Sequence, residues 1–179
     1  SLFNASFDEN NQFLGMEHAL AAGWPTLKMA PGFLAPGVNG EGKVDMFSAS
    51  GADHWYTMSH HRARAVNNKV AQDTFTPGWL RSVGQGWIVW GLESFIDEVA
   101  VKANKDPVDF RLAMLDGKGK QGGKAPESVG GATRLANTLE ILKKKTAKVK
   151  LGADEGIGYS LSAGQERTMP AWLATAAHV

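Results

Sequence analysis

Apolar residues alternate with more polar ones at Phe3, Ala5 and Phe7, and an apolar pattern resumes from Phe13 to Leu20 after the polar run Asp8-Glu9-Asn10-Asn11. Two alternating runs joined by a turn predict a hairpin. From Gly23 to Gly51, Trp24-Pro25, Pro31-Gly32, Pro36-Gly37 and further glycines break any regular period, which predicts a long ordered loop. Residues 52–74 fit neither period, with Trp55, Tyr56 and Val66 as candidate buried positions before the Thr76-Pro77-Gly78 turn.

The pattern then changes to helical. Ile88, Leu92, Phe95, Ile96, Val99 and Ala100 share one face of a helix from about Trp87 to Lys102, with Glu93, Ser94, Asp97 and Glu98 assigned to the opposite, solvated face. Asp106 can cap a second helix with Pro107 in its first turn, and Val108, Leu112 and Leu115 line one side before Asp116-Gly117 ends it. Glycines and lysines from Gly117 to Gly131 predict a mobile loop. Leu135, Leu139 and Leu142 then mark a third helix, with Lys143, Lys144 and Lys145 at its negative end. Beyond Gly152 the period returns to two, first over Ile157, Tyr159, Leu161 and Ala163, then over Leu173, Thr175, Ala177 and Val179 after Pro170. The expected fold class is α+β, with helices grouped between two β segments. It divides into a hairpin and loop over 1–78, a turn and helices over 79–150, and strands over 151–179. No repeat of solenoid or propeller period is present.

Composition narrows the chemistry. The 179 residues are 43% hydrophobic and 21% charged, as in a globular protein, and 19 basic against 18 acidic side chains leave +1. That balance offers no general field for nucleic acid, and no aromatics interleave with Lys143 to Lys150, so nucleic acid is not an expected partner. Cysteine is absent, which excludes disulfides, a thiolate nucleophile and a thiolate-bound cluster on this sequence. Neither a long apolar span nor a targeting segment is visible in it. The start at Ser1 and the stop at Val179 inside an alternating run lead to the expectation of a piece of a longer chain.

No nucleophile elbow, zinc-protease helix, phosphate-loop lysine or dinucleotide fingerprint occurs. His60 and His61 are adjacent and would point apart, so ordinary polar roles are expected and no metal ligand is assigned. Gly117 to Gly123 lacks the strand and helix that a phosphate loop needs. Arg81-Ser82-Val83-Gly84-Gln85-Gly86 differs, because it precedes the strongest helix, where free amides and a guanidinium suit an anion. A structural turn carrying an exposed arginine is the alternative. Gly164-Gln165-Glu166-Arg167-Thr168-Met169-Pro170 offers the Gln165 amide to a ligand or serves as a plain strand connection, and Glu166 is not assigned as a base.

Gly78-Trp79-Leu80-Arg81-Ser82-Val83-Gly84, then Leu92-Glu93-Ser94-Phe95-Ile96-Asp97-Glu98-Val99-Ala100, then Lys105-Asp106-Pro107-Val108-Asp109-Phe110-Arg111-Leu112 together resemble the molybdopterin-binding large subunits of the xanthine dehydrogenase and aldehyde oxidase family. The nearer likeness is to the branch of isoquinoline oxidoreductase beta subunits and membrane-associated aldehyde dehydrogenases. Gly156-Ile157-Gly158 and the 164–170 stretch match that branch too, so the resemblance covers nearly the whole chain. Leu80 stands where an aromatic is usual and Gln85 where histidine or proline is common.

The resemblance implies cofactor contacts at Arg81, Ser82, Val83 and Gly84, with Gln165 as a further candidate, and places the domain around a molybdenum-molybdopterin cytosine dinucleotide. It assigns no catalytic residue here, because the family's Gly-Gly-Gly-Phe-Gly motif and its Gly-x-Gly-Glu base motif are absent. The implied partners are the remainder of the same large subunit, a small subunit bearing 2Fe-2S clusters and, in this branch, a cytochrome c subunit. The implied site is periplasmic or membrane-associated through those partners. The implied reaction is aldehyde oxidation to a carboxylic acid with oxygen from water; the alternatives are hydroxylation of a nitrogen heteroaromatic and a non-catalytic assembly module of the same fold.

Overall fold

The computed structural model describes residues 1–37, 40, 42–75, 77–117, 131–166 and 169–179, with the side chains of 165, 166, 169 and 170 left out. The strands are β1 (Leu2–Phe7), β2 (Phe13–Ala22), β3 (Ala35–Pro36), β4 (Lys43–Val44), β5 (His60–Asn67), β6 (Ile157–Glu166) and β7 (Met169–His178). The helices are α1 (Pro25–Met29), α2 (Lys69–Thr74), α3 (Gln85–Lys102), α4 (Pro107–Met114) and α5 (Gly131–Thr146), with a 3-10 turn over Pro31–Phe33. Strands pair in the orders β1-β2-β5, β3-β4 and β6-β7. This mixture of helices and sheets is compatible with an α+β class.

The chain forms two compact units. The first comprises Ser1–Asn4, Met16–Asp53 and His61–Gly91, the second Ala5–Gly15, His54–His60 and Leu92–Val179. In the first, Leu20, Ala52 and Ile88 form a buried cluster with Ala49 and Ala65 packed against it. The expected loop over 23–51 contains α1, the 3-10 turn and the short β3-β4 pair, so its breakers separate small elements. Gln72 ties this region together, since its Oε1 accepts from Trp24 N at 2.6 Å and from Asn67 Nδ2 at 2.9 Å.

In the second unit, α5 packs on the β6-β7 hairpin and against α4. Leu135 and Leu139 bury the inner face of α5, and Gly131 starts that helix under the Trp55 ring, whose atoms lie 2.3 Å from where a Cβ would sit. Trp55 meets Trp172 edge to face at 5.2 Å. β6 and β7 pair antiparallel from Ile157↔His178 to Glu166↔Met169, as their alternation predicts. Leu173 and its outward neighbours Thr175, Ala177 and Val179 are exposed; Trp172, Ala174 and Ala176 form the half-buried side of β7.

Local chemistry explains the helix ends. The Asp106 carboxylate accepts from Val108 N and Asp109 N, both at 2.9 Å, and Pro107 holds the first helical position of α4. α3 stops where Asn104 takes φ 55°, with Lys105 N donating to Ala100 O at 2.9 Å and Asn104 N to Val101 O at 3.0 Å. Asp106→Ala is expected to lower stability by about 1 kcal/mol, measured by urea unfolding, because two amides of α4 lose their acceptor.

Two positions depart from the sequence-based expectation. Val66 is exposed, since β5 carries few apolar residues. Glu93, assigned to solvent, is only 4% exposed. The expected mobile loop between Gly117 and Gly131 falls almost wholly outside the described residues.

Candidate functional site

The Arg81–Gly84 turn belongs to the first unit and Gln165 to the second. The turn is tightly wound: Ser82 and Val83 take φ 78° and 49°, a region that a β-branched residue rarely enters. Val83 N donates to Leu80 O at 2.9 Å, Gly84 N to Phe47 O at 3.1 Å and Gln85 N to Ser82 O at 3.1 Å. These three amides are therefore satisfied by the protein itself. A Cβ on Gly84 would lie 2.8 Å from Phe47 O and Ser48 O and 2.9 Å from Ser50 O, so the close approach that glycine permits is to the chain's own 47–50 segment.

That segment is held by Asp45, a fully buried carboxylate. Its oxygens accept from Thr26 Oγ1 at 2.6 Å, Thr26 N at 3.2 Å, Phe47 N at 3.0 Å, Ser48 N at 3.3 Å and Ser48 Oγ at 3.0 Å. The five donors replace the water that the anion loses on burial. Asp45 thus fixes the loop whose carbonyls meet Gly84. The Asp45-Met46-Phe47-Ser48 pattern, an aspartate two and three residues before the amides it accepts from, is the sequence signal for this turn.

Arg81 and Ser82 face solvent, and Phe47 and Trp79 stand beside the turn with ring centroids 5.5 Å apart. The donor set does not fit a backbone cradle over Val83–Gln85, because those amides are spent. The exposed side chains of the turn, a guanidinium at Arg81 and a hydroxyl at Ser82, are donors of the kind that suit an anionic group. Gln165 sits on β6 in register with Pro170. Its own side chain is outside the described atoms, as is the Arg167-Thr168 connection.

A heavily coordinated polar group of the second unit joins α3, α4, β6 and the segment before β5. Arg111 is fully buried. Its Nε donates to Glu93 Oε2 at 2.9 Å, Nη1 to Asp97 Oδ1 at 2.5 Å and Pro107 O at 3.2 Å, and Nη2 to Glu93 O at 2.9 Å and Tyr159 O at 3.0 Å. Glu93 also accepts from Tyr56 Oη at 2.8 Å and Leu161 N at 2.9 Å. Burial pushes the Glu93 carboxyl upward, opposed by Arg111, the Leu161 amide and the Tyr56 hydroxyl. Burial, reinforced by the Glu93 charge, raises the Tyr56 phenol well above its ordinary value. With every donor paired, the cluster acts as a structural tie.

The histidines lie apart in role. His60 and His61 are exposed on β5, and among the described residues no group of three or more histidine, aspartate or glutamate side chains could hold a metal ion. His18 is 1% exposed and stacks on Phe3 at 4.1 Å. Burial, with lesser contributions from the positive N-terminus and His61, lowers its pKa to about 4. The folded state therefore keeps His18 neutral where an unfolded chain, titrating near 6.5, takes up a proton. Stability from this site is expected to be complete above pH 6.5 and lost as pH falls toward 4. Thermal melting across that interval checks it, and His18→Phe should flatten the dependence.

The chain is 47% identical over 169 residues to the membrane-bound aldehyde dehydrogenase (pyrroloquinoline-quinone) of Gluconacetobacter polyoxogenes, covering 93% of this chain and 22% of that protein. It is 26% identical over 112 residues to the isoquinoline 1-oxidoreductase subunit beta of Brevundimonas diminuta, covering 63% of this chain and 13% of that protein. No family model matches the chain. Both relatives are oxidoreductases by name, and the chain spans about a fifth of the first one's length. It is thus similar to a stretch of this aldehyde dehydrogenase and, more distantly, to a stretch of the isoquinoline oxidoreductase beta subunit.

Proposed function

We propose that the chain forms part of the large subunit of a membrane-associated oxidoreductase that converts aldehydes to carboxylic acids, with water as the oxygen source. The identity to the aldehyde dehydrogenase, sustained over 93% of the chain, carries this reading. In it, Arg81 and Ser82 hold an anionic part of a redox cofactor by their side chains, while Asp45 and Gly84 hold the turn in shape. Gln165 is a second candidate on residue type. The cofactor, when bound, accepts the two electrons released as aldehyde and water become acid and two protons. The likeness to the isoquinoline oxidoreductase beta subunit favours molybdenum-molybdopterin cytosine dinucleotide, with 2Fe-2S clusters on a small partner subunit and a cytochrome c subunit carrying electrons onward at the periplasmic face.

A second reading has its own observation, the quinone in the aldehyde dehydrogenase's name, and gives the cofactor as pyrroloquinoline quinone. Metal analysis and mass spectrometry of extracts from the intact purified enzyme separate the two. Stoichiometric molybdenum with a cytosine nucleotide supports the first, and quinone without molybdenum supports the second. Neither group in an intact, folded assembly would leave a non-catalytic module. Label from oxygen-18 water must appear in the acid product, and its absence there, after correction for aldehyde hydration, would overturn the hydroxylation chemistry.

A further inference from the structure

α5 is amphipathic, and its outer side ends in lysines. Leu135 and Leu139 face inward. Lys143 is engaged by Asp109. Lys144, Lys145, Lys148 and Lys150 are exposed and form no ion pair among the described residues. A lysine in the last turn complements the helix dipole, but that effect fades within one turn. Lys148 and Lys150 lie beyond Thr146, where α5 ends, so the dipole does not account for them. The segment is nonetheless ordered, since Ala147 N donates to Lys143 O at 3.0 Å and Val149 N to Thr146 O at 2.9 Å.

Apolar side chains are interleaved with the charges. Ile141 is 56% exposed, Val149 40% and Leu151 47%, and Ile141, Lys144 and Lys145 follow one another at helical spacing on the outer face of α5. The carboxylate of Glu155, the nearest acid beyond Leu151 after Asp154, is taken up by Gly152 N and His178 Nε2. The whole chain carries only +1, so this is a local concentration of charge in one short segment.

We propose that this basic, apolar-studded segment, the last turn of α5 and the residues after it from 141 to 151, docks on an anionic phospholipid surface. Lysine ammonium groups meet lipid phosphates, and Val149, Leu151 and Ile141 enter the headgroup layer, a use of exposed aliphatic side chains that a polyanion in water does not reward. Among the described residues no helix is long and apolar enough to cross a membrane. The inference rests on the membrane-associated reading above and names a surface responsible for it.

The test uses the intact polypeptide sedimented with vesicles of phosphatidylcholine alone, or with about one third phosphatidylglycerol. Binding is expected only with the anionic lipid, weakened by salt, and reduced at least about tenfold when Lys144, Lys145, Lys148 and Lys150 are all changed to glutamate. Val149→Ser with Leu151→Ser should give a smaller loss, and Lys102→Glu with Lys105→Glu none, each variant being checked for an unchanged melting temperature. Equal binding to neutral vesicles, no binding, or binding indifferent to the four glutamates overturns the proposal. So does capture by an acidic peptide in place of vesicles. Fractionation of cells making the intact enzyme keeps the two readings apart. If wild type and variant both stay with membranes, the surface fails and membrane association stands; if wild type is found off the membrane, membrane association fails as well.

Discussion

Arg111→Ala is expected to destabilise the protein by about 3–5 kcal/mol, because it leaves the Glu93 carboxylate and the carbonyls of Glu93 and Tyr159 without their donor in a dry interior. Glu93→Ala should cost a similar amount, leaving a buried guanidinium with Asp97 as its one remaining anionic partner among the described residues. Asp97→Ala should cost less, since that carboxylate keeps a third of its exposure and water replaces it in part. Arg111→Lys is not a conservative change here. A single ammonium cannot reach Glu93, Asp97, Pro107 O and Tyr159 O together. Urea unfolding of each single variant and of the Arg111→Ala, Glu93→Ala pair measures the coupling. A pair no worse than either single change is expected, because most of each single loss is the stranded partner. Additive losses would show that the two side chains act independently.

The same cluster marks where periodicity is a good guide and where it misleads. The span of α3 follows from Leu92, Ile96, Val99 and Ala100, but assigning Glu93 to solvent follows from its charge and not from its place. Glu93 lies seven residues before Ala100 and three before Ile96, which puts it on the edge of the apolar stripe. Arg111 has the same signature, three residues after Val108 and four before Leu115, both buried. Two opposite charges each set into an apolar stripe are the trace of a buried pair, and both fall within the blocks that carry the family resemblance. The hairpins were legible because alternation and turn residues are local. β5 was not, because His60-His61-Arg62-Ala63-Arg64 has no apolar alternation and its strand form comes from pairing with β2. At the candidate site, the place of the turn was readable from Arg81 and Gly84, whereas the partner of Gly84 was not. The carbonyls of Phe47, Ser48 and Ser50 come from a distant stretch of sequence that only folding brings there.

Gly84→Val is expected to damage the fold of the first unit before any ligand is considered. The added Cβ would press within 3 Å of the Phe47, Ser48 and Ser50 carbonyls, atoms of a loop that Asp45 pins through five hydrogen bonds and that cannot easily retreat. Overpacking against backbone costs roughly 1–3 kcal/mol, and the upper end applies where no side chain can swing aside. Gly84→Ala should show most of this loss, since the clash lies at Cβ. Arg81→Ala makes a different prediction: it removes a side chain at the surface and adds no clash, so it should cost less stability than Gly84→Val, while cofactor content and aldehyde turnover of the intact enzyme fall together if the guanidinium holds an anionic group. Arg81→Lys distinguishes the kind of contact, keeping charge but losing the planar fork, and should recover loading only in part. Full loading and turnover in Arg81→Ala, with a stable fold, would remove the turn from the cofactor site and leave it as packing around Gly84.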